Sequence, residues 1–199
     1  MVENIRATFR TMLEEVDWMD EGTRAKALEK ADKINPYIAY AEEILDDELL
    51  SEYYEGLELA DDSFLKNVLR LNKHINLYYA KQFRAAIIRD DWRTHGGAAV
   101  VNAFYSSSEN SIQFPAGVLG GVFFGAERPQ YMNYGCIGFT VGHEITHGFD
   151  DRGSQKDGDG NLVNWWQPET REKYEERAQC IIDQYSNYTI QVRPRHHAG

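Results

Sequence analysis

Two histidines four residues apart, His143 and His147, with Glu144 next to the first, are the side chains of this sequence best suited to chemistry. On a helix of 3.6 residues per turn that spacing stacks both imidazoles on one face. Two neutral ring nitrogens held in this way can take two corners of a tetrahedral Zn²⁺ site, each about 2.0–2.1 Å from the ion. Glu144 is turned about 100° from His143 and so lies beside such an ion rather than on it. There it can accept a proton from a water that the ion acidifies. The five-residue pattern also arises by chance on solvated helices, so its surroundings decide what it means.

Those surroundings are apolar. Residues 134–150 are apolar on nearly every face, which predicts a buried helix beside a strand, where a water-excluding site belongs. Residues 98–105 (Ala-Ala-Val-Val-Asn-Ala-Phe-Tyr) are β-branched and aromatic enough for that strand. A polar turn at 106–110 leads to a second short strand, Ile112-Gln113-Phe114, which Pro115 ends. The pair reads as a hairpin lying against the histidine helix. Gly117, Gly120, Gly121 and Gly125, set among Val118, Leu119, Val122, Phe123 and Phe124, predict an irregular apolar loop.

Upstream of Gly96-Gly97 the pattern is helical over the first ninety residues. Val2, Ile5, Phe9, Met12, Val16 and Met19 form one apolar stripe at spacings of three and four. Thr23 is placed to cap a second helix through Lys33, which stops before Asn35-Pro36 because a residue before proline avoids the α region. A short helix is expected from Asp46 to about Gly56 or Leu57. Asp61, Asp62 or Ser63 then caps a long one, with Phe64, Val68, Leu71, Ile75 and Tyr78 on its inner face. His74 on that helix has no motif around it and reads as an ordinary histidine.

Downstream, Asp157-Gly158-Asp159-Gly160-Asn161 begins like a calcium loop but has Leu162 and Pro168 where a glycine and a bidentate glutamate belong, so it reads as a tight turn. Pro168 suits the first position of a last helix, with Glu169 and Glu172 on its N-terminal dipole. Tyr174, Ala178, Ile181 and Tyr185 form that helix's stripe, and residues 191–199 form a basic tail without periodicity, expected to be disordered.

Composition narrows the partners. With 199 residues, 42% hydrophobic, the chain can bury a real core. A net charge of −11 argues against nucleic acid and anionic membrane, both of which need a basic face. No apolar run approaches a membrane span, and the N-terminus does not read as a signal peptide. Two cysteines, Cys136 and Cys180, are too few for a disulfide framework. Asn187-Tyr188-Thr189 matches a glycosylation sequon, a triplet common by chance.

Several blocks in register carry a family resemblance. Val101-Asn102-Ala103-Phe104-Tyr105, Phe114-Pro115-Ala116-Gly117, the stretch from His143 to Asp151, and Gly160-Asn161-Leu162 with Trp165-Trp166 resemble the neprilysin and endothelin-converting-enzyme family of zinc endopeptidases. Trp18-Met19-Asp20 and Thr23-Arg24 resemble the helical segment that precedes them there, and the likeness runs to about Ile190. It implies an α+β, mainly α-helical fold: a thermolysin-like catalytic lobe, incomplete here, with a small β-sheet beside the His-Glu-x-x-His helix. Three parts are expected, a helical segment at 1–95, a partial catalytic region at 96–190 and an irregular tail at 191–199.

The resemblance implies a role for each matching residue. His143 and His147 match the two histidine ligands of one Zn²⁺, and Glu144 matches the catalytic base. Asn102 and Ala103 match an edge strand that holds the peptide substrate as an added strand, a role the unpaired groups of an extended peptide make physically apt. Val118, Phe123 and Phe139 fall where the family lines an apolar pocket for the residue after the cleaved bond; simple core packing is an equal alternative. Asp150 either orients a ligand or ends the helix. An extracellular or cell-surface setting is implied, with a membrane anchor upstream.

The sequence also departs from the family. The family's third zinc ligand is a glutamate in a Glu-Asn-Ile-Ala-Asp block just past the last helix, and the sequence diverges at Gln191. The family's later histidine and arginine have no counterpart. His196 or His197 is the nearest local substitute. Cys180 lacks its family partner, which leaves a bridge to Cys136 open. A partial zinc endopeptidase is therefore expected, with an inactive peptide- or zinc-binding product and a helical scaffold with a vestigial motif as the other readings.

Overall fold

The computed structural model describes residues 1–86, 88, 90–95 and 97–189. Gly96, the tail from Gln191 on and the two tail histidines named above lie outside the described residues.

The N-terminal stripe folds as α1 (Val2–Glu15), which ends because Val16 turns extended. Ile5 and Phe9 pack on the core, whereas Met12, assigned to the same stripe, is exposed. α2 (Glu21–Asp32) starts three positions earlier than expected. Asp20, not Thr23, is its cap: the Asp20 carboxylate accepts the Thr23 N–H at 2.9 Å. Thr23 lies inside the helix, fully buried, and its hydroxyl accepts the Gln167 N–H at 3.0 Å. An aspartate three residues ahead of a free N–H satisfies it as well as a threonine does.

The first ninety residues are not wholly helical. Asn35–Ala39 forms a strand, β1, which pairs in parallel with β3 (Ser111–Pro115). Pro36 is tolerated because β1 lies at the sheet edge. β2 (Phe104–Ser106) pairs antiparallel with β3, so β3 is central, in the order β1-β3-β2. The expected hairpin is present, but its first strand is shorter than the sequence suggests, since residues 98 and 99 turn. Every residue of β3 is buried.

α3 (Asp47–Tyr53) is capped by Asp46 and stops short of Gly56. α4 (Phe64–Gln82) takes Ser63 as its cap. Its expected inner face is only partly covered: Tyr78 meets Tyr53 of α3 with ring centroids 5.5 Å apart, but no α4 residue is buried, and Phe64 is 86% exposed.

Residues 134–150 are not one helix. α5 (Gln130–Gly135) and α6 (Ile137–His147) break at Cys136, whose φ of −106° and ψ of −89° fit neither. α6 is buried on one face only. Ile137, Val141 and Ile145 enter the main core with Ile34, Ile112 and Phe114, while Phe139 on the opposite face is 74% exposed. Each of those three aliphatic side chains contributes about 1.5–3 kcal/mol of burial, enough to fix the helix's rotation. α7 (Pro168–Ser186) begins at Pro168 as expected, but only Thr170 is buried, and Ile181 and Tyr185 of its stripe are exposed.

A second core joins α1, α2 and the start of α7 through Leu13, Met19, Ala27, Ala31 and Trp166. The 157–161 stretch is the tight turn expected: the Asp157 carboxylate accepts the N–H groups of Asp159 and Asn161 at 2.9 Å, and Gly160 has φ +77°. Cys136 and Cys180 are both free and exposed, so no bridge joins them.

Candidate metal centre

The rotation of α6 sets the site. With Ile137, Val141 and Ile145 inward, His143 comes to the exposed side, His147 is half-buried and Glu144 is buried at 6% exposure. The two imidazoles meet edge to face, ring centroids 4.5 Å apart, with the Nε2 atoms 3.0 Å apart. The His147 Nδ1–H donates to Asp150 Oδ2 at 2.8 Å, so the lone pair of His147 is on Nε2, facing His143.

Asp150 is itself held. Its Oδ1 accepts the backbone N–H groups of Arg152 at 2.9 Å and Gly153 at 2.7 Å. Burial works to raise its pKa. The bonds from Gly153, His147 and Arg152 outweigh that and leave the carboxyl below its ordinary range. Gly153 permits the turn to close on α6: a Cβ there would sit 1.9 Å from the His147 carbonyl oxygen.

Glu144 stands in contrast. Burial pushes its carboxyl up, against the pull of His147 and His143. A carboxylate whose pKa is raised by desolvation is a better proton acceptor than an exposed one.

The sheet supplies the facing wall. Asn102 and Ala103 continue the edge strand β2 on its N-terminal side, Asn102 exposed and Ala103 buried. They share a cleft of about 390 Å³ with His143, Glu144, His147 and Asp150. Phe123 and Phe139 do not line it. Phe139 stacks on the far side of His143, at 6.5 Å between centroids, and borders a separate groove between α1 and α6. Val118 is buried in the main core, and the Phe123 carbonyl accepts from the Ile137 N–H.

Five further residues line the cleft without a site role in the sequence reading: Phe104, Tyr105, Ser107, Arg152 and Gly153. Alternation was the available signal for Tyr105, since it lies two residues along an extended chain from Ala103. Its hydroxyl donates to Asn110 Oδ1 at 2.9 Å, and burial, with the Asp150 charge, pushes its pKa up. Arg152 had no such signal.

The donor set fits a zinc ion as far as it goes. Two imidazole nitrogens 3.0 Å apart can both lie about 2.0–2.1 Å from one ion, and the carboxylate on His147 is the usual outer partner of such a ligand. Among the described residues, no group of three or more His, Cys, Asp or Glu side chains is placed to hold a metal.

Sequence models of Peptidase family M13 match residues 102–199 and 1–41. Neprilysin-2 of Drosophila melanogaster is 49% identical over 189 residues, 95% of this chain and 24% of that protein. Human neprilysin is 41% identical over 191 residues, 95% of this chain and 25% of that protein. A zinc metalloprotease of Mycobacterium tuberculosis, solved with an inhibitor, superposes with a TM-score of 0.83 at 33% identity, covering 99% of this chain and 29% of that one. PepO of Lactobacillus rhamnosis gives the same TM-score at 30% identity over 95% of this chain and 29% of its own. The fold is thus that of the zinc metallopeptidases. The chain belongs to peptidase family M13, the neprilysin family. It spans about a quarter of the length of the curated relatives it matches.

Proposed function

We propose that this chain carries the metal-binding and base-bearing part of a zinc endopeptidase active site. The observation behind this reading is the convergence in one cleft of the His143–His147 nitrogen pair, the buried Glu144 and the sheet edge at Asn102 and Ala103. His143 and His147 would hold the ion, and Asp150 orients His147. When bound, zinc supplies Lewis acidity that polarises a carbonyl and makes water a stronger acid. Glu144 takes the proton from the attacking water and later passes it to the leaving amine, a role its raised pKa favours. Asn102 and the backbone at Ala103 pair with an extended peptide as an added edge strand.

The substrates are peptides, met outside the cell or at its surface. No described helix is long and apolar enough to cross a membrane. Beyond His143 and His147, the rest of the metal's coordination is not supplied by the described residues.

Glu144→Gln tests the assignment in a chain extended to the length of its relatives. The amide keeps the shape of the carboxylate but cannot accept the proton, so kcat should fall on the order of 10²–10⁴. Bound zinc, read by atomic absorption, should stay near one per chain. Near-parental cleavage by this variant would remove Glu144 as the base.

A second reading has one observation in its favour: no third donor among the described residues joins the histidine pair. On that reading the 199-residue chain binds zinc or peptide without cleaving. Turnover assays on this chain and on the extended one separate the two.

A further inference from the structure

The most deeply buried charged side chain lies outside the cleft. Lys30 on α2 has 0% exposure, on a face otherwise made of Thr23, Ala27 and Ala31. Its ammonium donates to the carbonyl oxygens of Gly153 and Lys156, both at 2.7 Å. It also lies over the rings of Phe149 and Trp165, at 5.5 and 5.8 Å from their centroids. Burial pulls its pKa down to about 8, against the opposite pull of Asp157 and Asp150.

The two carbonyls belong to the turn that supports the metal centre. Gly153 is bonded at both ends: its carbonyl accepts from Lys30, and its N–H donates to Asp150 Oδ1. Asp150 Oδ2 in turn accepts from the His147 ring. The rest of the turn is held by the tryptophan pair, Trp166 donating to the Ser154 carbonyl and Trp165 to that of Lys156, both at 3.1 Å. Among the described residues, Lys30 is the side chain that reaches from another helix to the glycine holding Asp150.

We propose that Lys30 is a positioning residue of the metal centre: by holding Gly153 and Lys156 it fixes the turn that orients Asp150, and through Asp150 the imidazole of His147. The proposal rests on reading His147 as a metal ligand. It has a consequence opposite to simple electrostatics. Removing a buried cation near a metal site should strengthen cation binding by Coulomb's law. Removing a support of the ligand should weaken it, by an amount on the order of tenfold for an outer partner.

The test is Lys30→Met, which keeps an unbranched side chain one atom shorter and removes its donors. Zinc affinity is measured by competition with a chromophoric chelator. The ring state of His147 is read in the metal-free chain from long-range ¹H–¹⁵N correlations. We expect zinc binding weaker on the order of tenfold, and His147 shifted from the Nδ1–H form towards a mixture of tautomers. Lys30→Arg, which restores donors to both carbonyls, should recover most of both. Thr170→Val, which loosens the α2–α7 joint without touching the turn, should leave both at parental values.

Parental zinc affinity and parental His147 signals in folded Lys30→Met overturn the proposal, as does an equal loss in Thr170→Val. Should Lys30→Met not fold, Lys30→Gln, with a shorter amide donor, is read on the same two scales, and parental values there overturn it too. A parental chain that binds no zinc overturns the metal reading and this proposal with it. Equal zinc binding by parent and variant, with equal His147 signals, overturns this proposal alone.

Discussion

Single residues in this protein work through backbone groups more than through each other. Asn110 is the plainest case outside the cleft. It is fully buried in the turn between β2 and β3, with φ +51°, a left-handed conformation that asparagine tolerates better than most residues. Its amide donates to the Lys30 carbonyl at 3.0 Å and the Gly158 carbonyl at 3.1 Å, and its oxygen accepts the Tyr105 hydroxyl. Asn110→Ala therefore leaves buried partners unsatisfied as well as straining the turn. We expect a loss of about 1–3 kcal/mol, measured by urea denaturation. Asn110→Gly relieves the backbone but not the orphaned groups, so it should recover only part of that loss.

Elements are joined end to end, and the joints carry charge. Asp20 caps α2 and exchanges bonds with Thr170 in the first turn of α7. The Thr170 hydroxyl donates to Asp20 Oδ2 at 2.5 Å, and the Asp20 N–H donates back to it at 2.9 Å. Partial burial works to raise this carboxyl, but the bonds from Thr170, Thr23 and Gly22 outweigh it and bring its pKa from 3.8 down to about 2. A carboxyl that is more acidic in the folded state stabilises the fold above its unfolded pKa, and that stability is lost as pH falls through the folded one. The joint should thus contribute fully above about pH 4 and fail between there and pH 2. Thermal denaturation across this range should show a steeper acid loss in the parent than in Asp20→Asn. Parallel curves would mean that Asp20 is not the group titrating.

At the scale of the whole molecule, the cores are small and much apolar surface faces solvent. Phe64, Leu65, Leu69 and Phe83 along and just beyond α4, and Ile181 and Tyr185 on α7, are all more than half exposed. Surfaces of this kind are uncommon on monomeric soluble proteins and favour association. The chain also spans about a quarter of its curated relatives' length, and its described residues bring only two histidines to the metal. For the isolated 199 residues we expect dye binding typical of exposed apolar surface, self-association on size-exclusion chromatography, weak zinc retention after dialysis and negligible peptide hydrolysis. Tight one-to-one zinc with chelator-sensitive turnover would reveal a further ligand.

The spacing of His143, Glu144 and His147 determined the candidate chemistry from the sequence alone, because a helix's period places residues four apart on one face whatever surrounds them. Local rules likewise placed Pro168 at the start of α7, the turn at 157–161 and the hairpin between β2 and β3. Only the tertiary structure decided the rest. β1 was hidden because Pro36 marks an extended chain without naming its partner, and β3 lies far along the sequence. The rotation of α6, which exposes Phe139 and buries Glu144, depends on which apolar residues the sheet accepts. The inner face assigned to α4 failed for the same reason in reverse: a stripe states a capacity to be buried, and among the described residues α3 covers it only at Tyr78, leaving no α4 residue buried. Lys30 stood on the buried face of α2 by its spacing from Ala27 and Ala31. The carbonyls that justify it come from a turn beyond α6, and no local pattern can hold a contact between segments so distant in sequence.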